Sequence, residues 1–451
     1  MYNWLQITQE RQFTIDCHDS EAVDMKGSTT NGVWKTAASV QVFLFFALAL
    51  SLPSGYSYGA ALLLLTSLAC MARRPVPCLS RDDKIVIGVL LAFFLVSVAL
   101  FLIHGNRARS LDQSSRCLLA IPILLLLLQA PPRLAYVWAG LAAGAAGSAA
   151  MAAWQIHWAS SPVERATGFV TSAVPFGDMG LAMGVLCAAG LGWAARQGRH
   201  AWYWCLALLA GAIAGLYSSI ASGSRGGWPA LLPVAVLFCM AFLNKRNAPK
   251  VLAAATAAVI ILGAVLAAPE SGIRLRYDEA VAEIADYVER HDPKSSIGGR
   301  LEMWRAAAIS IPERPLLGWS HKEYPAQLQD LIGNGCVAPY AATLANTHNN
   351  YLEAWLFQGL PGLLALLALL AVPFRLFFKR LRHGDPDVRV LAVAGASLQA
   401  CFFTFGLTHV ILGRNSGITF FALTLVILWA CMRQTEKSSR VAMDGHTGRL
   451  S

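Results

Sequence analysis

Two arginines lie in short polar segments between apolar runs, where they could bind an anion. Arg225 lies in SGSRGGWPAL and Arg300 in SSIGGRLEMWRA, so small residues precede each arginine and a helix pattern follows it. A guanidinium binds phosphate through two parallel hydrogen bonds, and a helix N-terminus favours an anion. Glycines also allow a ligand to approach the backbone closely. The two segments predict phosphate binding, although a tight turn with an arginine bound to lipid headgroups also fits Arg225.

His348 is the side chain best suited to move a proton. It lies in NTHNNYLEAW, at the start of a long apolar helix pattern. Imidazole has an unperturbed pKa of about 6.5 and can accept a proton from a hydroxyl group near neutral pH. The neighbouring amides of Asn349 and Asn350 could orient the ring or bind a substrate hydroxyl. The sequence therefore offers His348 as a general base, and a structural histidine at a helix end is the alternative.

The composition is that of a polytopic membrane protein. Of the 451 residues, 56% are hydrophobic and 14% are charged, and the mean hydropathy is +0.51. A soluble domain of this length would carry a larger charged fraction. The net charge of +10 comes from short basic clusters between apolar runs, where such residues orient helices. This distribution argues against a nucleic-acid partner and predicts membrane lipids as the surroundings.

Twelve apolar stretches approach the roughly 20 residues that a transmembrane helix needs. We therefore expect an all-α fold with about 12 transmembrane helices and one large helical loop. The predicted organisation is an N-terminal tail at 1–37, nine spans within 38–268, a loop at 269–350, three spans within 351–432 and a C-terminal tail at 433–451. The stretches lie at 38–54, 56–72, 85–103, 115–130, 134–157, 175–195, 201–222, 227–243, 251–268, 351–374, 388–411 and 416–432.

The basic residues predict the orientation. Every lysine in a short loop lies on one side, which the positive-inside rule makes cytoplasmic, and both polar tails lie there too and should be disordered. The short loops on the other side contain no lysine but several arginines. These could bind the phosphates of a lipid-linked ligand, or pair with lipid headgroups, Asp112 or Glu164. They are Arg107, Arg109, Arg116, Arg165, Arg225 and Arg414.

The loop at 269–350 should form a lid over the helix ends, because about eighty residues cannot bury much core alone. One amphipathic helix is predicted within 274–290, with its apolar face at Tyr277, Val281, Ile284 and Val288. A second is predicted to begin near Arg300 and to stop at Pro312. Its expected apolar stripe consists of Leu301, Trp304, Ala308 and Ile311.

Two further titratable residues lie near the outer helix ends. Asp178 should lie just inside the membrane boundary, where a salt bridge to an outer arginine is the preferred interpretation. His409, with Arg414 shortly after it, is a weaker candidate of the same kind. The acidic pairs Asp82-Asp83 and Asp385/Asp387 fall on the cytoplasmic side, and no nucleotide fingerprint is present. The sequence therefore predicts neither a metal nor a cofactor at the outer face.

Three segments together resemble the consecutive motifs of the O-antigen ligases. They are SGSRGG, GGRLEMWRAA followed by RPLLGW, and HNNYLEAWLFQGLPG, and Arg165 in ERATGF matches a further position of the pattern. The motifs lie within 165–362 and are shared with O-antigen polymerases and with bacterial O-linked protein glycosyltransferases. The resemblance therefore defines the superfamily better than the individual member.

The resemblance implies a twelve-span enzyme of the bacterial inner membrane. It would move O-antigen polysaccharide from undecaprenyl pyrophosphate to a hydroxyl of the lipid A-core at the periplasmic face, with inversion and without a metal. Arg225 and Arg300 would hold the pyrophosphate and His348 would be the base, with Arg165, Asn349, Arg107, Arg109 and Arg116 as further substrate-binding residues. The alternatives are a polymerase, a protein O-glycosyltransferase and a non-enzymatic exporter of lipid-linked sugars. Charges in the centres of the spans would favour an exporter, whereas here they collect at the ends.

Overall fold

The computed structural model describes residues 28–170, 172–243 and 294–447, together with seven positions between 278 and 289. Over these residues the chain forms α-helices and short 3-10 turns and contains no β-strand, as the all-α prediction requires. The α-helices are α1 (Ser28–Leu48), α2 (Gly55–Met71), α3 (Arg81–His104), α4 (Asp112–Gln129), α5 (Leu134–His157), α6 (Ala173–Ala194), α7 (Ala201–Ala221), α8 (Leu231–Phe242), α9 (Ser296–Ser310), α10 (Tyr324–Gly333), α11 (Asn350–Phe378), α12 (Pro386–Gly406) and α13 (Asn415–Thr447).

Eight of the described helices are long and apolar enough to cross a membrane, so the chain is a membrane protein. Three further apolar helices, Gly32–Leu48, Gly55–Met71 and Trp228–Phe242, are shorter than the roughly 20 residues of a typical span. They correspond to the stretches predicted at 38–54, 56–72 and 227–243. The stretch predicted at 251–268 lies outside the described residues. The helical class is therefore confirmed, and the count of twelve stays a prediction.

The C-terminal tail was predicted to be disordered. This prediction was wrong, since α13 continues to Thr447. A buried charge cluster holds the first turns beyond residue 432. The Arg433 guanidinium donates to Asp83 Oδ1 at 3.2 Å and to Glu436, and both carboxylates are almost fully buried. Buried ions need such partners, because an unpaired charge inside a protein is strongly destabilising. The sequence pattern showed only polar residues after 432 and could not show their partners.

The same cluster joins three helices at one end of the bundle. Arg380 follows α11 and donates to Asp82 Oδ2 at 2.8 Å and to Glu436. Its guanidinium lies 5.4 Å from the centre of the Trp429 ring, and the Trp429 indole donates to Asp83 Oδ1 at 2.9 Å. The acidic pair at 82–83 therefore has a structural role.

At the start of the chain, α1 begins at Ser28, ten residues before the predicted first span.

Helix α11 is broken near its start, and the loop at 315–319 fills the break. Gly359 has φ 61° and ψ −166°, a backbone conformation that is essentially restricted to glycine. The Trp319 amide donates to the Leu356 carbonyl at 2.7 Å, and the Leu360 amide donates to the Pro315 carbonyl at 2.9 Å. The loop thus satisfies backbone groups that the break leaves without helical partners. Together, the break and the loop hold the first two turns of α11 in place.

Replacing Gly359 by alanine is expected to destabilise the protein by about 3 kcal/mol or more, because of backbone strain and overlap. An added Cβ would lie 2.2 Å from the Leu316 carbonyl oxygen. Thermal unfolding of the detergent-solubilised protein measures the effect. Gly333→Ala is the matched control, because nothing lies within 4 Å of its Cβ position. Equal unfolding temperatures for the two variants would contradict this description of the break.

The described part of the large loop forms a small core on α11. Met303, Ala307, Trp319, Tyr324 and Leu328 are buried together, and Leu356 of α11 completes the cluster. The second loop helix is confirmed as α9, which ends at Ser310. The seven described positions from 278 to 289 are helical, whereas Tyr277, Ile284 and Val288 of the first predicted face lie outside the described residues. The loop therefore packs against the helix that follows it.

The predicted apolar stripe of α9 was partly wrong. Ala308 is exposed and Leu301 and Trp304 are only half-buried, whereas the fully buried positions include Met303, Ala306 and Ala307. The buried face of α9 is set by the small loop core and includes the buried carboxylate of Glu302. Glu302 accepts hydrogen bonds from the Tyr287 hydroxyl at 2.7 Å and from the Ala338 amide at 2.9 Å. Its contacts could not be deduced from helical spacing.

Candidate functional site

The backbone around His348 is held in a left-handed conformation by side chains on both sides. His348 has φ 52°, which costs a non-glycine residue of the order of 1–3 kcal/mol. Its amide donates to Asn346 Oδ1 at 3.0 Å. Glu353 accepts from the amide and hydroxyl of Thr347 at 2.9 and 2.8 Å, and the Trp304 indole donates to the Thr347 carbonyl at 2.9 Å. This network fixes the position of His348 in front of α11.

Asn349 caps α11, which changes the interpretation of this residue. Its Oδ1 accepts from the amides of Tyr351 and Leu352 at 2.9 and 3.1 Å. Its Nδ2 donates to the carbonyl of Leu407 at 3.2 Å, which ties the start of α11 to the loop at 407–414. These bonds use the amide for capping and inter-helix contact. They favour a role in positioning His348, and direct substrate binding by Asn349 stays a prediction.

The His348 ring lies beside a second imidazole. The rings of His348 and His409 are 5.8 Å apart between centroids, with an angle of 41° between their planes. His348 is half-buried, whereas His409 is only 2% exposed. Burial lowers the pKa of His348 below its usual value, and the positive charges of Arg300 and Arg414 lower it further. The unprotonated imidazole is therefore the dominant form of His348 at neutral pH.

Arg300 lies in the second turn of α9 as a half-buried cation. The helix is capped by Ser295, whose Oγ accepts from the Gly298 amide at 2.9 Å. Burial lowers the pKa of the Arg300 guanidinium; the charges of Glu283 and Asp178 oppose this shift, and that of Arg225 adds to it. Within the described ranges, no hydrogen bond or ion pair engages the guanidinium. A desolvated cation of this kind gains more from an anion than one in water does.

Arg225 is exposed on a loop that packs tightly against two helices. The Ser224 hydroxyl donates to Asp178 Oδ1 at 3.2 Å. A Cβ added to Gly227 would lie 2.5 Å from the same oxygen, and one added to Gly226 would lie 2.3 Å from the Thr408 hydroxyl. These glycines are therefore required by packing within the protein. Approach of the backbone to a ligand, the reason expected from the sequence, is not needed to explain them.

Asp178 does not form the predicted salt bridge to an outer arginine in the described part of the chain. It is fully buried in α6, and its hydrogen-bond donor is the Ser224 hydroxyl. Arg300 is close enough for its charge to act on this carboxyl group. A buried acid at this point supports the loop that carries Arg225, and its Oδ2 is buried without a hydrogen-bond partner in the described residues. The structure thus replaces the expected ion pair by a hydrogen bond.

Arg165 forms a hydrogen bond to the segment that leads into the Arg225 loop. Its Nε donates to the Ser222 carbonyl at 2.9 Å, and the neighbouring Ala166 amide donates to the Ala221 carbonyl at 3.0 Å. Residues 165–166 therefore run along the segment that leads into SGSRGG. Arg165 as a whole residue is exposed. This placement links Arg165 to Arg225, and substrate binding by Arg165 stays a prediction.

The three arginines from the end of α3 to the second turn of α4 lie in different surroundings. Arg116 forms an ion pair with Asp112 at 2.8 Å, which was the alternative to ligand binding. Asn415 also donates to Asp112, so this pair contacts the residue after Arg414. Arg107 and Arg109 are exposed in and next to the 3-10 turn Ala108–Leu111. Substrate binding by Arg107 and Arg109 stays a prediction, and the ion pair makes it less favourable for Arg116.

A cavity of about 600 Å³ lies between the end of α3 and the loop at 314–323. Its volume would admit a small ligand. Its cationic groups are already engaged, however. Arg314 pairs with Glu323 at 2.7 Å, Lys322 donates to the Gly105 carbonyl at 2.5 Å, and the His104 ring contacts the Leu317 carbonyl at 2.9 Å. The cavity therefore offers less charge to a ligand than the region around Arg300 does.

The charges around His348 favour an anionic ligand. Arg300 and Arg414 act on both imidazoles, and Arg225 acts on Arg300. Among the described residues, Glu283 and Asp178 supply the opposing charges that act on Arg300. The described residues contain no group of three or more His, Cys, Asp or Glu side chains that could hold a metal ion. The fold and the site define an all-helical membrane protein with a basic site at one end of its helix bundle.

Part of the chain matches a known protein family. Residues 210–367, which include Arg225, Arg300 and His348, match the family described as O-antigen ligase. The match supports membership of the chain in the O-antigen ligase/polymerase superfamily, as its motifs predicted. A protein of Haemophilus influenzae (strain Rd) described as an uncharacterized protein is 26% identical over 391 residues, which cover 84% of this chain and 94% of that protein. The family indicates activity of the O-antigen ligase/polymerase type.

Proposed function

We propose that this protein transfers O-antigen polysaccharide from undecaprenyl pyrophosphate to a hydroxyl group of the lipid A-core. The observation that carries the proposal is the grouping of three motif residues that are distant in the sequence. The charge of Arg225 acts on Arg300, and the charge of Arg300 acts on His348. A lipid-linked diphosphate and an acceptor hydroxyl need this combination of two cations and one base.

The arginines would hold the diphosphate of the donor. As the bond between the anomeric carbon and the phosphate oxygen breaks, negative charge grows on the diphosphate. Guanidinium groups fixed around that position stabilise the charge, and this stabilisation is strongest where water is partly excluded. Arg300 is half-buried and has no ion-pair partner in the described residues, which suits it to this task. Arg225 is more exposed and would contact the diphosphate from the loop side.

His348 would be the base. An unprotonated ring nitrogen accepts the proton of the acceptor hydroxyl while the hydroxyl oxygen attacks the anomeric carbon. Attack from the face opposite the leaving diphosphate inverts the configuration at that carbon. The lowered pKa of His348 keeps the ring unprotonated at neutral pH, as a base requires. The proposed reaction uses neither a metal ion nor a cofactor.

The proposed orientation puts this site in the periplasm of a bacterium with an inner membrane. The proposed site lies at the end of the bundle that carries the loops at 158–170, 222–230 and 407–414, where Arg165 donates to Ser222 and Asn349 donates to Leu407. The other end carries Arg196, Arg380 and Arg433 with their acidic partners. Because basic residues accumulate on the cytoplasmic side, this arrangement supports cytoplasmic termini.

Polymerisation of lipid-linked glycan is the second candidate, since the family motifs serve both activities. A strain from which the gene is deleted distinguishes the two. If it still makes long lipid-linked O-antigen but cannot attach it to lipid A-core, the protein is a ligase. If it attaches only single repeat units, the protein is a polymerase and the proposal is wrong. The control is the deletion strain that again carries the wild-type gene. It should attach O-antigen to the lipid A-core and contain normal levels of the lipid-linked donor.

The acidic limb of the pH profile should depend on Arg414. Because burial and two arginines lower the pKa of His348, kcat/KM should begin to fall only below the usual histidine pKa of about 6.5. Arg414→Gln removes one of those positive charges and should raise the pKa of His348. The acidic limb should then move to higher pH. An unchanged limb in this variant would contradict the electrostatic coupling of Arg414 to the base.

A further inference from the structure

His409 is a buried residue whose two ring nitrogens form no hydrogen bond within the described residues. The residue is 2% exposed, and both Nδ1 and Nε2 are buried without a hydrogen-bond partner in the part of the chain that the structure describes. Each unsatisfied buried polar atom costs about 1–3 kcal/mol. An apolar side chain of similar size would avoid this cost. A histidine at this position therefore points to a function.

The neighbouring His348, the proposed base, also has a ring nitrogen that forms no hydrogen bond in the described residues. This nitrogen, Nδ1 of His348, is also buried and has no hydrogen-bond partner among the described residues. A direct N–H···N hydrogen bond between two imidazoles that face each other places their centroids about 5.2 Å apart. The observed separation is 5.8 Å, so the rings would have to approach by about 0.6 Å, with their nitrogens facing each other, to form that bond. The two histidines are thus adjacent, and each has at least one buried ring nitrogen without a hydrogen-bond partner in the described ranges.

Most polar side chains that flank His348 in the sequence already have hydrogen-bond partners in the described residues. The Thr347 hydroxyl is bonded to Glu353 and to the Asn349 carbonyl. Oδ1 of Asn349 caps α11. Nδ2 of Asn350 is buried and has no partner in the part of the chain that is described, but an amide nitrogen only donates.

We propose that His409 is a positioning residue for the base: one of its ring nitrogens accepts a hydrogen bond from Nδ1–H of His348. This bond fixes the tautomer in which Nε2 of His348 is unprotonated and can receive the proton of the acceptor hydroxyl. The proton passes to Nε2 as the oxygen bonds to the anomeric carbon, and the electron pair of the broken bond leaves with the diphosphate. His348 then carries both ring protons, and its Nδ1–H remains bonded to His409. The inference rests on the proposed role of His348.

The surroundings keep His409 able to accept. Burial lowers its pKa to about 3, with contributions from the positive charge of Arg414 and from His348 and Arg300. Among the described residues, Arg414, His348 and Arg300 are the charged and titratable groups that act on the ring. A lone pair therefore remains on His409 over the whole range in which the protein would work. A protonated His409 would have no lone pair and could not hold Nδ1–H of His348.

Two substitutions separate positioning from packing. His409→Leu removes the acceptor and also the unpaired polar atoms, so the thermal unfolding temperature should not fall, while kcat should fall about 100-fold. His409→Gln carries an amide oxygen that can accept from Nδ1–H and should recover most of that loss. The acidic limb of the pH profile should move to lower pH in His409→Leu, because His348 loses the acceptor that stabilises its protonated form. Full activity of His409→Leu, or equal losses in both variants, would overturn the proposal.

A tautomer measurement tests the contact without any activity. Histidine labelled with ¹⁵N in the full-length protein in lipid nanodiscs gives the protonation of each ring nitrogen, and the spectrum of His348→Asn assigns the His348 signals. Wild type should show His348 protonated at Nδ1, and His409→Leu should shift population to the Nε2–H form. An unchanged tautomer would overturn the contact. If the tautomer shifts while His348→Asn transfers glycan at the wild-type rate, the contact stands but the positioning role and the proposed base role both fail.

Discussion

Arg300→Ala is expected to reduce glycan transfer about 100-fold or more while the protein still accumulates in membranes. The loss follows from removal of a preorganised cation at the point where negative charge grows on the diphosphate. The side chain is half-buried and belongs to no ion pair in the described residues, so its removal breaks no described hydrogen bond of the fold. The measurement is the rate of transfer by purified protein, at equal protein amounts and saturating acceptor.

Arg305→Ala is the matched control for this result. Arg305 belongs to the same helix, lies about 140° around it from Arg300 and is exposed. The two variants lose the same charge from α9, so a general electrostatic effect would slow both. Near-normal transfer by Arg305→Ala together with loss in Arg300→Ala would support a specific site. Wild-type rates in Arg300→Ala would reject the role of Arg300 in holding the diphosphate.

His348→Asn is expected to reduce transfer by about 100-fold or more and to leave donor binding intact. The loss is that of a general base, which contributes about 100- to 10,000-fold to a reaction of this type. Asparagine is the appropriate replacement because His348 has φ 52° and asparagine adopts left-handed backbone angles readily. Transfer rates and the affinity for a lipid-linked diphosphate should be measured on the same preparation.

The control for this second prediction is His200→Asn. His200 is exposed beside α7, at the end of the bundle opposite His348. Its replacement should change neither rate nor affinity. If His348→Asn loses donor binding as well as transfer, the imidazole is a phosphate ligand instead of a base. If it loses neither, His348 has no part in the reaction.

Much of the architecture could be predicted because transmembrane helices leave a strong pattern in the sequence. The apolar stretches in the described residues correspond to helices, and α9 lies where glycines and Arg300 predicted it. Boundaries were less accurate at the ends of the chain. Nothing in the residues after 432 shows that Arg433 and Glu436 meet Asp83 and Arg380, because those partners lie on helices far away in the sequence. Contacts between distant segments decide whether a polar segment folds.

The sequence alone was enough to propose the three central residues of the candidate site. It was not enough to identify the residues that position them. Arg225, Arg300 and His348 follow from residue type and motif. Asp178 could be identified as unusual, yet its bond to Ser224 depends on how two helix ends meet. The glycines after Arg225 show the same limit, because they accommodate the protein's own side chains. His409 is the clearest example, since its proximity to His348 arises only when the 407–414 loop packs against the start of α11.

Transfer by the purified wild-type protein in defined lipid is the most direct test of the proposed reaction. The protein would receive undecaprenyl-pyrophosphate-linked glycan and lipid A-core in chelator-treated buffer, and mass spectrometry and NMR would identify the product. We expect glycan on the lipid A-core with inverted configuration at the new linkage, together with released undecaprenyl pyrophosphate. Extension of the lipid-linked glycan without any attachment to the lipid A-core, or transfer that appears only when divalent ions are added, would contradict the account.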